Sequence, residues 1–148
     1  MGIVYLSDSS IDVGDNICIH GLDIEKKYYL RRFKKPLDKG YIKERLHIDK
    51  SHYNILLAHS PLFIKDYAKC GVDLTLCGHF HGGTVRLPYG IGVMTPQFHF
   101  FCRLVVGMKK VENMIQIIGA GLGTHSINIR LNDMSELIVI NLKCRNKS

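Results

Sequence analysis

The stretch NILLAHSPLFIKDYAKCGVDLTLCGHFHGG, residues 54–83, decides how this chain folds. Residues 54–58 form a compact apolar run of strand length that stops at His59-Ser60-Pro61. Proline suits the first turn of a helix, where its missing N–H costs nothing, so a helix is predicted over residues 62–69. Gly71 stands where helices commonly end on a left-handed residue. A second apolar run, residues 72–77, leads into Gly78-His79-Phe80-His81-Gly82-Gly83. Strand, helix and strand in this order make a βαβ unit with parallel strands. The loops leaving the two strands then share one edge of the sheet, where parallel sheets place their ligands. His59 and residues 79–81 are therefore expected to be neighbours in space.

Outward from this unit the signals are weaker. Residues 3–6 read as a short strand and Ile17–Leu22 as a second, with turn residues over 7–15 and Gly14-Asp15-Asn16 as the tightest turn. The two runs are expected to pair as a hairpin. Residues 25–33 are helix-compatible up to the limit set by Pro36, and residues 41–48 have helical spacing with Ile42 and Leu46 on one side. Further strands are predicted at residues 84–87, Met114–Ile118 and residues 136–142, the last two joined through GAGLG at 119–123. That glycine run lacks the Lys-Ser/Thr ending of a phosphate loop and reads as a tight turn.

The chain has 148 residues, 46% of them hydrophobic and 22% charged, so it can bury a core and is no disordered tail. Twenty Lys and Arg against 13 Asp and Glu leave a formal charge of +7, which permits phosphorylated or anionic partners without choosing one. Part of the excess is local: Lys26, Lys27, Arg31, Arg32, Lys34 and Lys35 interleave with Tyr28, Tyr29 and Phe33. A solvated face is the preferred reading over a phosphate- or lipid-facing patch. No apolar run reaches the ~20 residues of a membrane span, and MGIVYLSDSS has no basic-then-apolar signal pattern. Five cysteines, Cys18, Cys70, Cys77, Cys102 and Cys144, form no C-x-x-C pair and read as reduced core thiols.

The histidines carry the chemistry. His79 and His81, two apart in an extended segment, point to one side, and the flanking glycines let backbone approach a ligand closely. Neutral imidazole is the commonest nitrogen ligand for divalent metals, so these two with His59 make a candidate metal site. His20 and His47 read as structural, and His52 as exposed.

ILLAHSP, GVDLTLCGHFHGG and VRLP resemble the C-terminal half of the calcineurin-like metallophosphoesterases. Within that family they are most similar to the subgroup of YkuE-type phosphodiesterases and UDP-diacylglucosamine hydrolases. IIGAGLGTHSINIRL with SELIVINL resembles that subgroup's closing segment, and ICIHGLDI the strand after its third motif. The resemblance implies an α/β (α+β) sandwich of β-sheets flanked by helices, here as its C-terminal half in one partial domain over residues 1–148. It implies hydrolysis of a phosphodiester or phosphomonoester by a hydroxide bridging two divalent ions of Mn, Fe or Zn. His59 and His79 would hold one ion and His81 the other, with His125 and Arg130 as weaker candidates for contacting substrate.

Two departures accompany it. Thr84 stands where the subgroup usually has Gln. The family's Asp-x-His, Gly-Asp-x-x-Asp and Gly-Asn-His motifs do not occur in the chain, so the bridging carboxylate and the histidine assisting the leaving group have no counterpart. Three neutral imidazoles do not offset the repulsion between two divalent cations. The chain is expected to be a truncated portion without appreciable activity alone.

The substrate implied is lipid-linked or a nucleotide, and the location cytoplasmic, with contact to the inner face of the membrane. Phe98, Phe100 and Phe101, beside His99, would serve that contact if exposed; a core strand is the preferred reading. Two alternatives stand beside this one. The first is a catalytically silent fragment needing a partner that supplies the N-terminal half. The second is a small basic protein binding nucleic acid or anionic lipid, which leaves GHFHGG without a role and lacks the standard nucleic-acid motifs.

Overall fold

The computed structural model describes residues 2–29, 36–81, 86–87, 91–94, 100–102, 105–123 and 134–143, with those at 86–102 described by backbone alone. Its centre is the predicted βαβ unit. Strands β1 (Ser9–Val13), β2 (Ile17–Leu22), β3 (Tyr53–Ala58), β4 (Leu74–Cys77), β8 (Gly107–Val111) and β9 (Met114–Ile118) form one sheet in the order β1-β2-β3-β4-β9-β8. The inner strands β2, β3, β4 and β9 run parallel, and β1 and β8 flank them antiparallel. A second sheet of three antiparallel strands comprises β5 (Arg86–Leu87), β6 (Ile91–Met94) and β7 (Phe100–Cys102). The architecture is a mixed α/β sheet with few helices, consistent with the predicted sandwich class.

Between β3 and β4 the chain turns as expected. Ser60 caps the turn with its hydroxyl on the Leu62 amide, Pro61–Phe63 make a 3₁₀ turn, and α1 (Ile64–Cys70) follows. Gly71 closes α1 with φ of 96°, a conformation that costs a residue with a Cβ about 1–2 kcal/mol. The α1 side of the sheet holds the main core. Leu22, Leu56, Ala58 and Met114 from the strands meet Phe63, Tyr67, Tyr28, Leu37, Tyr41, Ile42 and Leu46. Tyr28 stands edge-on to Tyr41 and Phe63, with centroids 5.2 and 6.0 Å away, and buried Tyr67 donates its hydroxyl to the Ser60 carbonyl at 2.7 Å.

Several expected elements differ. Residues 2–6 form no strand; the partner of β2 is Ser9–Val13, because the turn at residues 14–16 fixes which residues face one another. The polar letters of Ser9, Ser10 and Asp12 fit an exposed edge strand as well as a loop. Over residues 41–48 there is no helix: 41–45 are turn and 46–48 irregular, with single α-type bonds from Glu44 to Gly40 and from Leu46 to Ile42. They still bury Tyr41, Ile42 and Leu46. Arg45 holds this segment down: its guanidinium lies 3.7 Å above the Tyr41 ring and pairs with Glu25 at 2.8 Å and Asp8 at 3.4 Å. Of residues 25–33, Lys26–Tyr29 are a 3₁₀ turn and 30–35 lie outside the described residues. The expected strand over 136–142 is absent. Strand propensity needs a ladder, the outer side of β9 is already taken by β8, and Leu137 and Val139 stand 79% and 76% exposed.

The polar residues on the core side are tied together. Asn54 Nδ2 donates to the carbonyls of Asp49 and His52 at 2.8 and 2.9 Å, which turns its Oδ1 toward His20 Nε2 at 2.9 Å. The His20 proton therefore sits on Nε2, and Nδ1 accepts from Ser10 Oγ at 2.7 Å. His20 is structural, as predicted. Cys18, Cys70 and Cys77 are free thiols, and burial pushes Cys77 up to about 12. No helix among the described residues is long and apolar enough to cross a membrane.

Removing the Asn54 amide strands a buried imidazole N–H and two carbonyls. Asn54→Ala is expected to cost about 2–3 kcal/mol in urea denaturation, and Ser10→Ala, at an exposed position, clearly less.

Candidate functional site

Leu57 on β3 lies opposite Leu76 on β4, so the two parallel strands end side by side. His59 leaves the end of β3 and His79 follows Gly78 at the end of β4, with the Gly78 amide bonded to the His59 carbonyl at 3.2 Å. His59 Nε2 and His79 Nδ1 approach to 2.8 Å, with ring centroids 4.6 Å apart. The spatial neighbourhood expected from the βαβ reading is present. At this distance one nitrogen carries the proton and the other accepts it.

The loop after β4 is unusual in its backbone. His79 and His81 have φ of 70° and 47°, left-handed values rare for residues with a Cβ. Between them Phe80 is 1% exposed and anchors the loop, leaving both histidines half-buried. His81 Nδ1 donates to the Gly123 carbonyl at 3.2 Å. The glycine-rich turn at 119–123 thus orients this imidazole, and the lone pair of neutral His81 lies on Nε2.

Tyr29 was not foreseen at the site. Its ring lies 5.1 Å from that of His79 and 6.1 Å from that of His59. Burial, with the nearby charge of Asp23 behind it, pushes its hydroxyl up to about 12. In the sequence it was one aromatic within a basic cluster, and nothing in that cluster marked it. Lys26 and Lys27 of the cluster lie in the described part, where Lys27 pairs with Glu25 at 3.0 Å. His125, Arg130, Thr84 and His99 lie outside the described residues.

The donor set can be compared with what a cation needs. Two imidazoles on one tetrahedral ion at ~2.05 Å would hold their nitrogens about 3.3 Å apart, so the His59–His79 pair needs to open by roughly half an ångström. Among the described residues, however, no three His, Cys, Asp or Glu side chains converge. His59 and His79 are brought together; His81 is held on the Gly123 carbonyl. The described residues therefore fit one corner of a single-ion site and do not fit a two-ion centre, for which there is no carboxylate bridge.

Burial, and behind it the charge of His81, holds the His59 imidazole below its ordinary value of 6.5. A histidine depressed in the fold favours folding while neutral. That contribution is present above 6.5 and is lost as the pH falls through the lower folded value. Thermal melting is expected to drop on acidification through this window, with a shallower drop in His59→Gln.

Three proteins of Bacillus subtilis (strain 168) are similar to this chain. Uncharacterized protein YpbG is 27% identical over 152 residues, covering 95% of this chain and 49% of its own length. The uncharacterized metallophosphoesterase YkuE is 32% identical over 97 residues, covering 64% of this chain and 32% of its own length. The uncharacterized metallophosphoesterase YkoQ is 28% identical over 85 residues, covering 57% and 32%. The chain thus spans about half the length of the first relative and a third of the other two. No family model matches, and no solved structure matches. The partial similarity to two proteins named metallophosphoesterases supports a relationship at the level of that superfamily.

Proposed function

We propose that this chain contributes part of the active site of a metal-dependent phosphoester hydrolase. The observation that carries this reading is the 2.8 Å approach of His59 Nε2 and His79 Nδ1 at the ends of two adjacent parallel strands. Paired imidazoles at a strand-end loop cluster suit a divalent cation, and the similarity to YkuE and YkoQ supports phosphoester chemistry. In this reading His59 and His79 are ligands, and His81, with its lone pair on Nε2, is a further one. A divalent ion held there would supply Lewis-acid charge to a phosphoryl oxygen. The protein's own contribution is orientation. Gly123 fixes the His81 ring, buried Phe80 fixes the loop, and the Tyr29 ring closes one side of the histidine pair.

The carboxylates that two closely spaced cations require come, in this proposal, from a polypeptide segment carrying the Asp-x-His, Gly-Asp-x-x-Asp and Gly-Asn-His motifs. Mn, Fe and Zn all suit the mixed nitrogen and oxygen donors that would result. Lipid-linked phosphates and nucleotides are the substrate classes that follow from the subgroup resemblance.

The chain alone is expected to bind at most one Co²⁺ or Zn²⁺ by calorimetry, with binding lost in the triple variant His59→Ala/His79→Ala/His81→Ala. Turnover of bis-(4-nitrophenyl) phosphate with Mn²⁺ is expected to stay at background until a polypeptide bearing those motifs is co-expressed, and then to disappear in His79→Ala. Metal stoichiometry unchanged in the triple variant would overturn the reading, as would no turnover in the co-expressed pair.

A further inference from the structure

The hydrogen-bonded chain Ser10–His20–Asn54 ties the core together, and the phosphoester reading leaves it unused. Ser10 on β1 and His20 on β2 are direct cross-strand partners, so their side chains share one face of the sheet. Exposure changes abruptly along this row: Ser10 is exposed, while His20 and Asn54 are fully buried. Asn54 Nδ2 donates to two carbonyls, and its Oδ1 accepts from His20 Nε2 at 2.9 Å. The lone pair left on Nδ1 receives the Ser10 hydroxyl at 2.7 Å. A hydroxyl on an imidazole lone pair, with the opposite ring nitrogen held by a third side chain, is the arrangement that activates a serine nucleophile. Taking the hydroxyl proton would charge a buried ring, and carboxylates stand close by to favour that charge. Asp12 lies two residues along β1 on the same face, bonded to the Cys18 thiol, and Asp73 Oδ2 accepts the Asn54 amide at 2.7 Å. Among the described residues β1 is the outer strand of its sheet, so alternate amides beside Ser10 point away from β2 and are open to an oxyanion. The same carboxylates repel anions, so the ester that suits Ser10 is uncharged.

We propose that Ser10 is a nucleophile toward uncharged, activated acyl esters, with His20 as its base and Asn54 as the residue that positions the ring. Ser10 Oγ forms the bond to the acyl carbon. The bond from that carbon to the leaving oxygen breaks, and its electron pair departs with that oxygen. The hydroxyl proton passes to His20 Nδ1, and from there to the leaving oxygen or to water. Throughout, Nε2–H stays on Asn54 Oδ1 and keeps the ring in place. Every group that the step uses belongs to this chain.

Acylation of the full chain by 4-nitrophenyl acetate, read by peptide mass mapping, tests this. Ser10 is expected to gain an acetyl ester about 100-fold faster than the exposed Ser7 and Ser135 of the same chain, a gain of the size a positioned base supplies. The preference is expected to vanish in denaturing urea, and Ser10→Ala to lose the label with its circular dichroism unchanged. In His20→Gln that is folded by circular dichroism, Ser10 is expected to fall to the rate of Ser7. The rate at Ser10 is expected to be the same in EDTA as with added Mn²⁺, so this proposal and the metal-site reading fail separately. Ser10 labelled no faster than Ser7 and Ser135 in the folded wild-type chain would overturn the proposal, whether or not His20→Gln folds. So would an unchanged rate in folded His20→Gln.

Discussion

The parallel pairing of β3 with β4 is the constraint on which the rest of the structure depends. Because Ile55 faces Leu74 and Leu57 faces Leu76, both strands finish at the same level. The residues that follow them have no choice but to meet. A hairpin connection would have sent the second loop to the opposite edge. The 3₁₀ turn, α1 and Gly71 make the parallel return possible, and the buried aromatic cluster of Tyr28, Tyr41, Phe63 and Tyr67 secures it on the sheet. Site and core therefore share one cause, the crossover between residues 59 and 73.

This is also why so much of the centre was legible in the sequence. Residues 54–58, Pro61, Gly71 and residues 72–77 are local signals, each acting through backbone chemistry at its own position. Together they specified the order of elements and the meeting of His59 with His79. Their bounds moved by only a residue or two, to Tyr53–Ala58 and Leu74–Cys77. Met114–Ile118 was read with its bounds intact because an apolar run bounded by turn residues admits little else.

Where reading failed, the deciding partner was distant. Whether residues 3–6 or Ser9–Val13 would pair with Ile17–Leu22 depended on the turn between them, and polar edge residues disguised the true strand. Residues 136–142 have the composition of a strand, but composition cannot supply a free sheet edge. Tyr29 reached the histidine pair through tertiary folding, and no spacing rule links positions 29, 59 and 79. The cover over the core came from residues 36–48 as turn and irregular chain stitched by Arg45, although their apolar spacing was that of a helix.

The left-handed backbone at His79 and His81 carries a consequence for engineering. Each holds a residue with a Cβ in a conformation that glycine adopts without penalty, at a cost of about 1–2 kcal/mol. Glycine at either position would relieve that backbone cost, and would at the same time delete an imidazole together with its hydrogen bond to His59 or to the Gly123 carbonyl. Backbone preference and chemistry pull in opposite directions at these two positions. The left-handed backbone and the imidazoles it presents therefore stand or fall together in this loop.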